Sequence, residues 1–249
     1  MSGHSKWAQI KRQKGAADTR RGQLFTKLAR EILVAVRHGG GDPQANSQLR
    51  LAVQRARDNN MPLENIERAI KRASGSSEAA ALAEVILEGY GPGGSAILVQ
   101  ALTDNRNRTL SEVRNVFSRS DSTLGESGCV TWMFELKGVI TIDGGQVDGE
   151  ELALLAIDSG ADDVKVDGAT VEVHTQPQDM EEVRKTLEEK GIAVSSAELV
   201  QVPQTMIQLD EKSALQSLGL LDKLEQLDDV QHVFTNADFP DDVLEKYQE

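Results

Sequence analysis

Only one cysteine, Cys129, occurs in 249 residues, so no intrachain disulfide can form and the composition suits a reducing cytoplasm. Histidine is nearly as scarce. His4, His38, His174 and His232 are scattered, with none at i, i+4 from another and none beside the cysteine in ligand spacing, which argues against a zinc site. The longest uninterrupted apolar run, residues 152–157, falls far short of the roughly 20 residues that a membrane-spanning helix needs. The opening stretch, Met1-Ser2-Gly3-His4-Ser5-Lys6-Trp7, leads into polar basic sequence without the apolar centre of a secretory signal. Catalytic signatures are missing as well, with no G-x-S-x-G elbow and no dinucleotide-binding glycine pattern after a strand. The paired acids Asp162-Asp163, Asp228-Asp229 and Asp241-Asp242 fall at expected turns and helix ends and read as solvated charge. Cys129 reads as a small half-buried residue of a strand over residues 129–134, with no histidine positioned to activate it. No catalytic residue, metal or cofactor is expected, and no membrane partner.

What is present is charge, unevenly placed. The whole chain carries 27 Lys and Arg against 40 Asp and Glu, a formal net charge of -13. Residues 1–75 hold 15 basic against 6 acidic side chains, net +9, which leaves 12 against 34, net -22, for the rest. An acidic total argues against nucleic acid, because like charges repel. Its segregation into a basic head and an acidic body instead suggests a head built for a polyanion. The candidate contacts are Lys6, Lys11, Arg12, Lys14, Arg20, Arg21, Lys27 and Arg30 on phosphates, with Trp7 available to stack on a base.

The head reads as helical. Leu24, Phe25, Leu28, Ile32 and Val36 recur at three- and four-residue spacing and predict an amphipathic helix over residues 17–38, stopped by Gly39-Gly40-Gly41-Asp42-Pro43. Second and third helices fit residues 47–58 and 63–73, broken by Asn59-Asn60-Met61-Pro62, which makes a three-helix bundle. Residues 2–14 lack a sustained apolar face and read as a basic arm that orders on nucleic acid.

After a Ser-Gly-rich linker the periodicity changes. Strands are expected over residues 82–88 and 96–102, joined by Gly89-Tyr90-Gly91-Pro92-Gly93-Gly94. That loop lacks the Lys-Ser/Thr pair and following helix of a phosphate loop and reads as a hairpin turn. Thr109 and Glu112 stand in capping-box spacing and predict a helix starting near Thr109. Asn105, Arg106 and Arg108 gather before that start, where side-chain forks and free N–H groups could hold a phosphate or could serve nearby carboxylates and carbonyls. Residues 138–200 then follow a β-α-β-β-α-β order, the ferredoxin-like split unit. The expected fold class is therefore multidomain α+β: a basic helical domain with its arm over 1–77, a discontinuous α+β domain over 78–135 and 204–249, and an inserted ferredoxin-like domain over 136–203.

Six ordered strings span the chain: Gly3-His4-Ser5-Lys6-Trp7-Ala8, Phe25-Thr26-Lys27, Gly39-Gly40-Gly41-Asp42-Pro43, Asn59-Asn60-Met61-Pro62, Glu88-Gly89-Tyr90-Gly91-Pro92-Gly93-Gly94 and Asp104-Asn105-Arg106-Asn107-Arg108-Thr109. Together they resemble the YebC/PmpR family, which includes the mitochondrial translational activator of cytochrome c oxidase subunit I. The resemblance implies three domains with an N-terminal helical bundle, and a cytoplasmic, non-enzymatic regulator of gene expression. Two partners stay open. Bacterial members are described as regulators that bind duplex DNA, whereas organellar relatives and some bacterial ones act at the ribosome, which implies ribosomal or transfer RNA.

Overall fold

The computed structural model describes residues 18–75, 82–143, 149–167 and 170–248. Three helices come first, α1 (Asp18–Gly39), α2 (Ser47–Asp58) and α3 (Leu63–Gly75). Leu28, Ile32 and Val36 of α1 meet Leu49, Val53 and Ala56 of α2 and Ile66 and Ala69 of α3 in one core, as the apolar spacing requires. Asn46 ties the first corner together. Its Nδ2 donates to the carbonyls of Ala35 at 2.7 Å and Gly40 at 2.8 Å, while its Oδ1 accepts the Leu49 N–H at 3.0 Å and caps α2. Gly40 ends α1 in left-handed backbone at φ 84°.

The following strands build two four-stranded antiparallel sheets. The first contains β1 (Ala83–Tyr90), β2 (Ala96–Thr103), β3 (Thr123–Leu124) and, from near the end of the described chain, β9 (Val230–Thr235), in the order β3-β1-β2-β9. Between β1 and β2 the glycine-rich loop makes a tight turn with Gly93 and Gly94 at positive φ, so it joins a hairpin. β2 is buried along almost its whole length because both its faces are covered. Ile97 and Val99 face a core shared with α4 (Arg106–Arg119), α7 (Glu211–Glu225) and α8 (Asp241–Gln248). Ala96 and Leu98 face Phe134, Val139, Val200 and Val202 of the second sheet.

That second sheet comprises β4 (Phe134–Asp143), β5 (Asp163–Asp167), β6 (Thr170–Thr175) and β7 (Val194–Pro203) in the order β5-β6-β4-β7, with α5 (Gly149–Asp158) and α6 (Met180–Glu189) packed on one face. This is the strand order of the ferredoxin-like unit. A short parallel pair, β8 (Ile207–Gln208) and β10 (Ala237–Asp238), completes the chain's return to the first sheet. The fold is α+β, with N-terminal helices followed by sheets.

Two local expectations are overturned. α4 starts at Arg106, not near Thr109, because the Asn105 side chain caps it by accepting the Arg108 N–H at 3.1 Å. Residues 129–133 do not extend a strand: Thr131–Met133 form a single 3-10 turn before β4. The cause is the buried carboxylate of Glu88, which accepts the N–H groups of Gly128, Val130 and Thr131 at 2.7–2.9 Å and so removes them from any ladder.

Candidate nucleic-acid interface

The sequence-predicted cations have different fates. Lys6, Trp7, Lys11, Arg12 and Lys14 lie outside the described residues, as does the side chain of Arg20 in the first turn of α1. Arg21 is exposed, without a side-chain partner among the described residues. Two predicted contacts on α1 turn toward the body instead. Lys27 donates from Nζ to the carbonyl of Glu225 at 2.6 Å, and Arg30 donates from Nη1 to the carbonyl of Asp228 at 2.7 Å and to Asp229 Oδ1 at 3.1 Å. Lys27 thereby satisfies a carbonyl at the end of α7, where the helix dipole favours positive charge, and Arg30 satisfies one in the turn that follows.

Asp229 organises that junction. Contrary to the expectation of a solvated turn acid it is buried, and it accepts four hydrogen bonds. Besides Arg30, its donors are Arg108 Nη2 at 2.7 Å, Thr109 Oγ1 at 2.7 Å and Thr103 Oγ1 at 3.1 Å. Burial alone would raise the carboxyl pKa, but the hydrogen bonds from Arg108, Thr109 and Thr103 outweigh it and hold the value below the ordinary aspartate range. Arg108 also donates to Asp104 Oδ1 at 2.8 Å, and its own pKa is raised by the bond to Asp229 first and to Asp104 second. Of the trio expected to hold a phosphate, Asn105 is therefore the helix cap and Arg108 is held by two carboxylates. Arg106 is exposed and reaches only the carbonyl of Glu84, at 3.5 Å.

A second junction centres on Arg55 of α2: helical position leaves it, with Arg50 and Arg57, available to solvent, but the fold turns Arg55 onto distant acids. Its guanidinium lies 3.3 Å from Glu31 of α1, 3.6 Å from Glu198 of β7 and 2.8 Å from Nε2 of His232 in β9. Burial would lower its pKa, yet the coulombic pull of Glu31 and Glu198 carries the net shift upward. Beside it Leu51 packs into the core of the second sheet and Arg50 stands 3.8 Å from Glu181 of α6. The head is thus tied to both sheets, and one face of α2 is covered. Arg57 and Lys71 remain exposed on the head without side-chain partners among the described residues. Arg57 is exposed as its place outside the apolar stripe of α2 leads one to expect, and Lys71 stands opposite the apolar stripe of α3.

Among the described residues no group of three or more His, Cys, Asp and Glu side chains could hold a metal ion. Nor is any described helix long and apolar enough to cross a membrane. Burial, followed by the charge of Glu88, pushes the Cys129 thiol pKa up, away from thiolate character.

By fold and surface this is a modular α+β protein in which a cationic helical part is clamped onto two sheet-based parts. It belongs to the TACO1/YebC family: the family's N-terminal domain matches residues 5–76, and its second and third domain match residues 82–237. A "Probable transcriptional regulatory protein" of Dehalococcoides mccartyi is 57% identical over 247 residues, covering 99% of this chain and 98% of the relative. A protein of the same name from Chloroflexus aggregans is 54% identical over 250 residues, with 99% of each chain covered. The crystal structure of a conserved hypothetical protein from Aquifex aeolicus superposes with a TM-score of 0.82 at 47% identity, covering 90% of this chain and 92% of that one.

Proposed function

We propose that this protein is a cytoplasmic, non-enzymatic regulator of gene expression that binds nucleic acid through its basic N-terminal segment. The observation that carries the reading is the segregation of charge, +9 in residues 1–75 against -22 in the remainder. A body of that charge is repelled by a polyanion, so the molecule approaches head first. The relatives' shared name, which describes regulators of transcription, makes duplex DNA the first target to test.

A second reading, RNA of the translation machinery, is favoured by the covering of the head helices. α2 has one face on β7, and the outer face of α3 mixes Glu64 and Glu67 with Lys71, with Arg68 held by Glu64 at 2.6 Å. Neither presents the Arg, Asn and Gln set that reads base edges. Contact with backbone and shape, which RNA helices offer, suits such a head.

The test is binding of the full chain to duplex DNA and to ribosomes across a salt series, with a Lys11→Glu/Arg12→Glu/Lys14→Glu variant beside it. The wild type should lose affinity steeply with salt, by about one unit of log-log slope for each phosphate neutralised, and the variant should bind more weakly at every salt. Salt-independent binding, or a variant equal to wild type, would overturn the assignment to the head. Co-sedimentation with ribosomes that excess duplex DNA cannot compete away selects translation; promoter binding without it selects transcription.

A further inference from the structure

The outer face of α4 is a polar surface of the body that carries two arginines. Thr109, Val113 and Phe117 point into the core of the first sheet. At about 100° per residue the opposite side carries Asn107, Ser111, Arg114, Asn115, Ser118 and Arg119. All six are exposed, and none has a side-chain partner among the described residues. Arg114 and the exposed Glu112 stand at its two rims, each about 80° from the centre of that side. Arg114 and Arg119 thus project from a part of the chain whose net charge is -22, where coulombic balance alone would have drawn them onto neighbouring carboxylates as it does Arg108.

The geometry points to this face as a second nucleic-acid contact, with the sugar-phosphate surface of a double-helical RNA stem as its occupant. The inference rests on the nucleic-acid reading above and deepens it. Arginine forks at Arg114 and Arg119 match phosphate oxygens, while the four neutral side chains between them both donate and accept, as 2′-hydroxyl groups do. The neutral side chains favour RNA over DNA, because only RNA carries the 2′-hydroxyl groups they would meet. α4 packs on the sheet beside α7, whose Ala214, Leu218 and Leu221 share its core. The contact is also separate from the helix N-terminus, where Asn105 and Arg108 are already committed.

The experiment uses the full chain, an RNA hairpin and a DNA hairpin of the same sequence. Arg114→Gln/Arg119→Gln should weaken binding to the RNA hairpin by about tenfold per arginine and lower its salt slope by about two, leaving the DNA hairpin nearly unaffected. Ser111→Ala/Asn115→Ala should reduce RNA affinity without changing the slope. Because every substituted side chain is exposed and unpartnered, thermal unfolding should stay at wild type, which checks that folding is intact. RNA affinity within twofold of wild type, while the Lys11→Glu/Arg12→Glu/Lys14→Glu variant loses it, would overturn this surface and leave the head assignment standing. Equal losses on RNA and DNA would overturn the choice of RNA. Absence of all nucleic-acid binding by the wild type would remove both.

Discussion

Replacing Asp229 with alanine tests whether the junction between head and body is an energetic keystone. The carboxylate is 3% exposed and receives two hydroxyl and two guanidinium donors. Breaking a buried ion pair by deleting one partner typically costs about 3–5 kcal/mol. Two features of this site lower that figure. The side chains of Arg30 and Arg108 are 26% and 42% exposed, so water takes over part of what the carboxylate gave them. Thr109 keeps alternative acceptors in Thr103 Oγ1 at 2.8 Å and the Asn105 carbonyl at 3.2 Å. The expected loss is therefore about 3 kcal/mol, which for a chain of this length lowers the melting temperature by roughly 6–12 °C. Asp229→Asn, which keeps the shape and one acceptor, should lose about half as much. Urea unfolding followed by far-ultraviolet circular dichroism measures both, and Arg30→Ala should cost less in the Asp229→Ala background than alone, because only its bond to the Asp228 carbonyl is left to lose. A loss below about 0.5 kcal/mol, the size of an ordinary surface change, would refute the idea that Asp229 holds the junction.

Glu88 makes the same kind of prediction for pH. Burial tends to raise its pKa, but the backbone N–H groups of Gly128, Val130 and Thr131 lower it on balance, as the donors to Asp229 lower that group's. A depressed carboxyl stabilises the fold above its unfolded pKa, near 4, and loses that contribution as pH falls through the folded value. Glu88→Gln should accordingly cost about 1–3 kcal/mol at neutral pH and flatten the acid limb of the stability curve; an unchanged acid limb would count against the strut. Gly89→Ala tests packing on the other face of β1. A Cβ there would stand 2.5 Å from the Thr123 carbonyl oxygen and 2.6 Å from Phe117 Cε1, so destabilisation of about 1–3 kcal/mol is expected in thermal unfolding, and a neutral result would mean that β3 yields easily.

The elements that were legible in the sequence are those whose reason is local. Leu28, Ile32 and Val36 announce the buried face of α1 by spacing alone, and the continuous apolar run of β2 announces a strand covered on both sides. The failures share a different cause, a partner far away in the chain. Thr109 fits a capping box, yet its hydroxyl turns inward to an acid 120 residues later, leaving Asn105 to cap the helix. Residues 129–133 have strand-like composition, but Glu88, some forty residues earlier, collects their N–H groups. The candidate site divides in the same way. Arg21 can be judged from helical position, whereas Lys27 and Arg30, further along the same helix, meet carbonyls and a carboxylate 198–199 residues away that no window on the sequence brings into view.

Those long-range partners also change what the charge asymmetry means. A head of +9 on a body of -22 would be drawn onto that body whether or not nucleic acid were present, and the attraction could in principle cover the whole basic surface. Among the described residues the structure gives it specific contacts: Lys27, Arg30, Arg37, Arg50 and Arg55 meet the body, while Arg21, Arg57 and Lys71 stay exposed. The central carboxylate, Asp229, is buried, and Arg55 and Glu198 are each about one quarter exposed, so added salt screens these contacts less than it screens an exposed phosphate contact. Head and body are therefore expected to stay joined at salt concentrations that would release a polyanion, so that a salt slope of binding would count phosphates rather than the opening of the protein. The cations turned inward are subtracted from the surface that a polyanion would meet, which would leave the contacts there fewer than the sequence total suggests and each correspondingly more important.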